Sequence, residues 1–307
     1  TGPLVRHVII PSISIQPSAR VRRVCVTSVL IVMMGLGCFV MPGCQSTPKA
    51  TFSSDKPSRH SITSKHFVIQ SDVRIEPDDV IVKTLEDLHS QLVSTLKLPE
   101  QRDPVTVYLF SDEASYRYYM HATWRDLPPR RAYFVGSTRE LAVYSFRSPQ
   151  VMQDLRHEFT HGILHATLQT VPLWLDEGLA EYFEVNPETP GLANPEHLAE
   201  LNRARQERWN PNLVRLEMLT DFRDLTQQDY AESWAWVHFL LNGPDERKDV
   251  LLKYLETLRK TKTPPGLRSS LETSVPSYVT DLQTHLEQLY ASYATAGPLA
   301  VPMAALH

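Results

Sequence analysis

The chain is poor in cysteine, and its few cysteines all lie near one end. Of 307 residues only three are cysteine, Cys25, Cys38 and Cys44, and none follows position 44. A folded domain in the remainder therefore has no internal disulfide and no thiolate with which to bind a metal. Any metal site there must be built from His, Asp or Glu side chains.

Glycine is scarce, and the chain carries no excess of positive charge. Eleven glycines without a regular period, beside 23 prolines, exclude collagen-like and repeat architectures. The formal net charge is −4, whereas a protein that binds nucleic acid usually carries a basic excess, so no nucleic-acid partner is expected. Hydrophobic residues at 42% and charged residues at 21% are ordinary for a globular protein.

Residues 20–44 have the pattern of an export signal. The basic stretch 20–23 (RVRR) precedes an apolar run over 24–41, which leads into Pro42, Gly43 and Cys44. A basic segment, an apolar segment and a small residue before a cleavage position are typical of secretory signals. The arrangement resembles a bacterial lipoprotein signal, in which the cysteine after a small residue is lipidated and becomes the mature N-terminus. The resemblance implies lipidation of Cys44.

The same apolar run supports an alternative interpretation. Its eighteen residues are just long enough to span a bilayer, so 24–41 could remain as an uncleaved anchor. Either way we expect an exported, membrane-anchored protein that faces the cell envelope. The sequence thus predicts a leader over 1–43 and a flexible tether, rich in Ser, Thr, Pro and Lys, over 44–62.

Hydrophobic periodicity predicts one α+β domain over residues 63–293, followed by a disordered tail over 294–307. Its first half is predicted to hold a small mixed sheet with helices. Strands are expected at 66–71 and 105–110, helices at 78–98 and to about 123, and a hairpin from RAYFVG and ELAVYSF. Beyond residue 150 strand signals stop. Helices are predicted there at 150–168, 173–186, 194–208, 227–242, 245–260 and 276–293.

The strongest chemical signal is the run HEFTH at 157–161, inside the helix predicted over 150–168. His157 and His161 are four residues apart and project from one helix face, so both can bind one Zn²⁺ at ~2.0–2.1 Å. Glu158 points about 100° away, beside the metal. There it can take a proton from a metal-bound water and pass it to a leaving amine. The alternative is that both histidines lie on a solvated helix face.

The next predicted helix offers a third ligand. It contains PLWLDEGLAEYF, in which Glu177 and Glu181 lie one turn apart on the same face. A catalytic zinc site with two histidines needs one more protein ligand and an open position for water. Glu177 can supply that ligand, and Glu181 can accept a hydrogen bond from the outer nitrogen of a zinc-binding histidine. The alternative is two exposed glutamates on an amphipathic helix.

HEFTH followed by WLDEGLAEYFE resembles the gluzincin metallopeptidases, the superfamily of thermolysin and the aminopeptidase-N-like enzymes. It is most similar to the bacterial peptidase-MA-like group. The resemblance implies a zincin-like fold, one Zn²⁺ per chain and a peptide or protein substrate. Its local motif places the third ligand on Glu177, sixteen residues after His161. Glu181, at twenty, matches the thermolysin spacing but not the motif, and we follow the motif.

Two further segments extend the resemblance. RAYFVGSTRELAVYS is similar to the edge hairpin of thermolysin-like folds, which implies that Ala132, Tyr133, Phe134 and Val135 pair with an extended substrate. An ordinary hairpin is the alternative. YAESWAWVHFLL resembles a helix of aminopeptidase-N-like enzymes whose leading tyrosine stabilises the oxyanion, here Tyr230. Plain core packing of that tyrosine is the alternative.

These features predict a membrane-anchored zinc peptidase with Glu158 as general base. The aminopeptidase motif G-x-M-E-N is absent from the sequence, which favours an endopeptidase. The alternative function is a catalytically silent peptide-binding or structural envelope lipoprotein on the same scaffold, in which zinc only clamps two helices. Structural zinc sites usually have four protein ligands, and the sequence offers three. His165 lies ~12 Å from His157 along the helix and is expected to be solvated or to support a ligand.

Overall fold

A mixed β-sheet dominates the first half of the molecule. The computed structural model describes residues 8–11, 55–101, 103–185 and 193–296. Five strands between residues 60 and 146 form the sheet, and a sixth short strand pairs onto its β5 side, giving the order β1-β5-β6-β4-β3-β2. The strands are β1 (Val8–Pro11), β2 (His60–Thr63), β3 (Phe67–Ser71), β4 (Val105–Phe110), β5 (Ala132–Gly136) and β6 (Leu141–Phe146).

The central strand β4 runs parallel to both of its neighbours, β3 and β6, while the outer pairs are antiparallel. Its sequence, VTVYLF, is a continuous β-branched and aromatic run because both faces of the strand are covered. Helices α1 (Val80–Leu96) and α3 (Val151–Thr167) share an aliphatic core with one face. Helix α2 (Glu113–Thr123) packs on the other face, over an aromatic cluster.

The second half is helical, so the predicted α+β class, with the sheet first and helices after it, is confirmed. Two short helices and a 3-10 turn, Phe222–Asp224, were not predicted because they are too brief to show a helical period. The remaining helices are α4 (Leu173–Phe183), α5 (Pro195–Gln206), α6 (Leu213–Met218), α7 (Gln227–Leu241), α8 (Asp245–Leu258), α9 (Leu267–Ser274) and α10 (Tyr278–Ala296).

Two strands fall in segments that the sequence assigned to other roles. Strand β2 pairs with β3 from His60 onward, so sheet pairing begins inside the predicted tether 44–62. Its HSIT sequence gave no strand signal because it carries a single large apolar residue. Strand β1 lies inside the predicted leader 1–43 and pairs with Tyr133–Gly136.

The predicted lipidation site, Cys44, and the apolar run 24–41 lie outside the described residues, as does the predicted tail from 297 onward. Within the part that the structure describes, no helix combines the length and the apolar character needed to cross a bilayer.

Candidate metal centre and active site

Helix α3 carries the HEFTH run through the protein interior. The side chains of His157, Glu158 and His161 are fully buried. Gly162 lets the helix lie directly on the sheet, since a Cβ at this position would stand 2.8 Å from a methyl group of Val105. The burial of both histidines excludes the alternative of a solvated helix face.

Helix α4 packs closely on α7 at Gly178, which follows Asp176 and Glu177 in the sequence. A Cβ on Gly178 would lie only 2.5 Å from the backbone oxygen of Ser233, so a larger residue here would force the two helices apart. Next to this contact, Glu177 on α4 is fully buried. Tyr230 stands in the first turn of α7, whose start is fixed by a capping box between Thr226 and Asp229.

Three ligand atoms converge between α3 and α4. Glu177 Oε2 lies 3.6 Å from His157 Nε2 and 3.8 Å from His161 Nε2. Neither Nε2 atom and neither Glu177 oxygen has a hydrogen-bond partner among the described residues. Buried polar atoms nearly always have such a partner. Buried atoms that lack one and face each other at these distances form a group that could hold a cation.

Carboxyl groups contact the other ring nitrogen, Nδ1, of both histidines. His161 Nδ1 lies 2.8 Å from Asp176 Oδ1, and His157 Nδ1 lies 3.1 Å from Glu184 Oε2. When the carboxyl group is ionised and the imidazole is neutral, Nδ1 donates to the carboxylate and Nε2 keeps a lone pair directed toward Glu177. This is the tautomer that a metal requires of a histidine ligand.

Several buried carboxyl groups surround the centre. Asp176, Glu177, Glu181 and Glu184 are all buried along α4. Burial raises the pKa of Glu177, and burial together with the charge of Glu181 raises the pKa of Glu184 to about 7. Although burial opposes it, Glu177 and Glu184 raise the pKa of His157. A bound divalent cation would compensate these carboxylates, and two imidazoles with one carboxylate are a donor set that suits zinc.

Glu158 is buried beside this group but is not one of the converging ligands. Neither of its carboxyl oxygens has a hydrogen-bond partner in the described ranges. Burial raises the pKa of Glu158 to about 8, against the opposing influence of His157. A carboxyl group that titrates near neutral pH can both accept and return a proton, which is what a general acid–base catalyst does.

Tyr230 faces the same region from α7. Its side chain is 1% exposed, and its hydroxyl has no hydrogen-bond partner among the residues described. Burial raises the pKa of Tyr230, and the charge of Glu177 raises it further, so the hydroxyl keeps its proton. Core packing accounts for the buried ring but not for the unpartnered hydroxyl.

Glu181 occupies a different position from the one predicted for it. Its Oε2 lies 2.9 Å from Nε2 of His197 on α5. The hydrogen bonds that the sequence assigned to Glu181 are made by Asp176 and Glu184 instead. Glu181 and Glu184 do form a second potential ligand group with His157, but Glu184 faces Nδ1 of that imidazole, away from Glu177.

The sequence contained a signal for both supporting carboxylates. Asp176 immediately precedes Glu177, and Glu184 follows Glu177 by seven residues, so Glu177, Glu181 and Glu184 share one helix face. His165, expected to be solvated or to support a ligand, lies 2.7 Å from Asp176 Oδ2 through its Nε2. Asp176 therefore bridges His161 and His165.

Strand β5 covers α3 beside the centre. The Phe134 ring lies 6.1 Å from the ring of His161, and Arg131 holds Asp154 of α3 through two nitrogens. Among the strands between residues 60 and 146, β5 lies at one edge of the sheet, and Val8–Pro11 pairs antiparallel along the side that faces away from β6. This side of β5 therefore accepts an extended segment over Tyr133–Gly136, which overlaps the predicted substrate edge Ala132–Val135.

Comparison with known proteins adds one finding. Residues 152–265 match the family described as "Protein of unknown function (DUF1570)". The match includes both histidines of the centre, Glu158, Glu177 and Tyr230, but the family has no assigned function and lends none to this chain. No match is found among curated proteins.

Proposed function

We propose that this protein is a zinc-dependent peptidase with a zincin-like fold, in which His157, His161 and Glu177 hold one Zn²⁺. The observation that carries the proposal is the convergence of buried ligand atoms that have no other partner in the described chain. Two imidazoles and one carboxylate leave a coordination position for water, as catalytic rather than structural zinc sites do.

Zinc at such a site acidifies a bound water and polarises a carbonyl group. The chain's own residues then divide the remaining work. Glu158, buried beside the proposed ligands, would accept the proton of the attacking water and deliver it to the leaving amine. The Tyr230 hydroxyl, protonated and without a hydrogen-bond partner among the described residues, would donate to the oxygen on which negative charge develops.

The position of β5 beside the centre favours an extended peptide as the substrate. The side of β5 that faces away from β6 presents backbone groups over Ala132–Val135, and Val8–Pro11 pairs antiparallel with most of this stretch. Addition of a peptide strand there would lay its backbone across the α3 motif. Because no amino-terminus-binding motif occurs in the sequence, we propose endopeptidase rather than aminopeptidase action.

We further propose that the enzyme is exported and held at the membrane of the cell envelope through lipidated Cys44 or the apolar run 24–41. The basic, apolar and Gly-Cys pattern of residues 20–44 supports this. Cleavage before Cys44 would also remove Val8–Pro11 and free the β5 side for substrate. Mass spectrometry should find a lipid-modified Cys44 at the mature N-terminus. A mature chain that retains 24–43 would show the uncleaved anchor instead.

The substitution Glu158→Gln tests the catalytic proposal. It keeps the shape of the side chain and all three zinc ligands, so zinc content should stay at one per chain. Hydrolysis of a peptide library should fall by about 10²–10⁴-fold, the range for a lost general base. Glu256→Gln, at an exposed position of α8, is the matched control and should change neither quantity.

Two results would contradict this proposal. Wild-type rates in Glu158→Gln would remove its role as base. A zinc-loaded wild-type protein that cleaves no member of the library, while Glu158→Gln and wild type melt alike, would favour the silent or structural alternative.

A further inference from the structure

A cavity of about 310 Å³ lies on the α2 side of the sheet, opposite the face that α3 covers. Its walls come from α2, the segment 124–130 and the start of β5. Ligand sites range upward from about 300 Å³, so this cavity has the size for one bulky side chain rather than for a large cofactor.

The lining of the cavity is aromatic at the bottom and cationic at the mouth. Tyr116, Met120 and Tyr133 are buried in its floor, and Trp124 and Leu127 are half-buried at its sides. The hydroxyl of Tyr116 is buried and has no hydrogen-bond partner among the described residues. An apolar floor with one unpartnered hydroxyl is suited to a large apolar or aromatic group that carries little charge itself.

Two tyrosines that line this cavity interact electrostatically with Glu158. After burial, the charge of Glu158 is the largest influence that raises the pKa of Tyr116, and it also raises the pKa of Tyr133. Arg130, which lines the cavity, lowers the pKa of Tyr133 and of Tyr230 against the effect of burial. Arg130 therefore contributes positive charge to the lining of the cavity.

The order of residues on β5 explains how one peptide could reach both places. Alternate residues of a strand face opposite sides of the sheet. Phe134 joins the core on the α3 side, whereas Tyr133 joins the aromatic cluster on the α2 side. A peptide paired along β5 would alternate in the same way, so one of its side chains would turn toward the cavity while its backbone crosses the metal centre.

We propose that this cavity is the specificity pocket of the enzyme and takes a bulky apolar side chain, aromatic or large aliphatic, of the peptide substrate. Arg130 at its mouth would favour substrates with an acidic residue or a terminal carboxylate next to that side chain. The inference rests on the proposed peptidase function and assigns its substrate class.

Leu127→Trp tests the pocket by filling it, and Leu127→Ala tests it by enlarging it without a risk of overpacking. Peptides that carry Phe, Leu or Gly at one varied position are compared by kcat/KM. One methylene group more or less in an apolar pocket changes the ratio of kcat/KM between two substrates by about 10–200-fold. We expect Leu127→Trp to remove most of the Phe-over-Gly preference and Leu127→Ala to shift preference toward larger side chains. Leu252→Trp, half-buried on α8, is the size-matched control.

Binding to Glu158→Gln protein gives a readout that does not depend on turnover. Calorimetric Kd values for the Phe and Gly peptides should differ in the Glu158→Gln chain and converge in Glu158→Gln/Leu127→Trp. In the same assay, Arg130→Gln should abolish any preference for an acidic neighbour, while Arg268→Gln, on α9 and paired with Glu272, should keep it.

The outcomes separate the two proposals. Cleavage of peptides with an unchanged Phe-over-Gly preference in both Leu127 variants would overturn the pocket and leave the peptidase standing. A difference in Kd between Phe and Gly peptides without any cleavage by the wild-type enzyme would support the pocket and overturn the peptidase. Equal Kd values for both peptides would overturn the pocket assignment directly.

Discussion

Two pairs of neighbouring histidines in this molecule differ in what their nitrogens contact. His238 and His285, on α7 and α10, bind each other, with 2.8 Å between Nδ1 and Nε2. His157 and His161 on α3 do not bind each other. Each has its Nδ1 held by a carboxylate and its Nε2 directed toward Glu177 without a hydrogen-bond partner in the described structure.

The difference shows that burial of histidine is not itself a sign of function. In the His238–His285 pair one nitrogen of each ring is bonded to the other ring, so these two atoms need no ligand. The α3 pair leaves two lone pairs unused beside a buried carboxylate, an arrangement that costs stability unless a cation binds. We therefore read the first pair as packing and the second as a binding site.

Complete loss of the metal is the largest effect that distinguishes the two pairs. His157→Ala and His161→Ala each leave only two protein ligands, so purified protein should contain no zinc after dialysis. His285→Gln should retain one zinc per chain because its partner is His238 and not the metal. Elemental analysis measures this, and full zinc in both α3 variants would refute the assignment.

Removal of the Tyr230 hydroxyl should have the next largest effect, a lower kcat without loss of zinc. If it donates to the oxyanion, Tyr230→Phe should lower kcat by about 10²–10³-fold and leave zinc content and melting temperature nearly unchanged. Tyr182→Phe is the control, since its hydroxyl contacts Asn242, 3.1 Å from Nδ2, and not the centre. Unimpaired kcat in Tyr230→Phe would assign this tyrosine to packing.

The carboxylates behind the histidines should have a smaller effect, on metal affinity. Asp176→Asn and Glu184→Gln remove the acceptors that fix the His161 and His157 tautomers, and each should weaken zinc binding by about 10–100-fold. Glu181→Gln should weaken it less, because Glu181 contacts His197. Competition with a fluorescent chelator gives these affinities, and a larger loss in Glu181→Gln would restore Glu181 to the role that the sequence predicted.

The smallest expected effect is the pH dependence of the metal-free protein. The pKa of Glu158 is about 8 in the folded chain against an ordinary value of 4.5. Between these pH values the folded chain holds one proton more than the unfolded chain, so the free energy of unfolding should fall as pH rises, by about 1.4 kcal/mol per pH unit. The raised pKa of His157 acts in the same direction.

Urea unfolding of chelator-treated protein between pH 6 and pH 8 measures this slope. Glu158→Gln cannot titrate at this position and should show a shallower decrease. A free energy of unfolding that increases with pH in the metal-free wild-type protein would contradict the charge distribution described for the centre.

Much of this site could be predicted because it lies on two regular helices. The spacing of His157 and His161 places both on one helix face, and the run Asp176-Glu177-Gly178 identifies Glu177 as the third proposed ligand. Neither inference needs any knowledge of the sheet. The three proposed ligands, His157, His161 and Glu177, lie within a stretch of 21 residues.

The contacts behind this set could not be predicted with the same certainty. Whether Asp176, Glu181 or Glu184 supports a given imidazole depends on the rotation of α4 relative to α3, and this rotation is set by the close packing of Gly178 on Ser233. The aromatic cavity combines α2, the segment 124–130 and β5, so no single periodic pattern contains it. In the fold, β2 was missed because its pairing partner, rather than its own HSIT sequence, makes it a strand.

Anomalous X-ray scattering from crystals of the zinc-loaded protein would test the central claim most directly. We expect one zinc peak per chain, bound to Nε2 of His157, Nε2 of His161 and a carboxylate oxygen of Glu177, at ~2.0–2.2 Å from each. A peak bound instead by Glu181 and Glu184 on the Nδ1 side of His157, or no peak within reach of both Nε2 atoms, would contradict it.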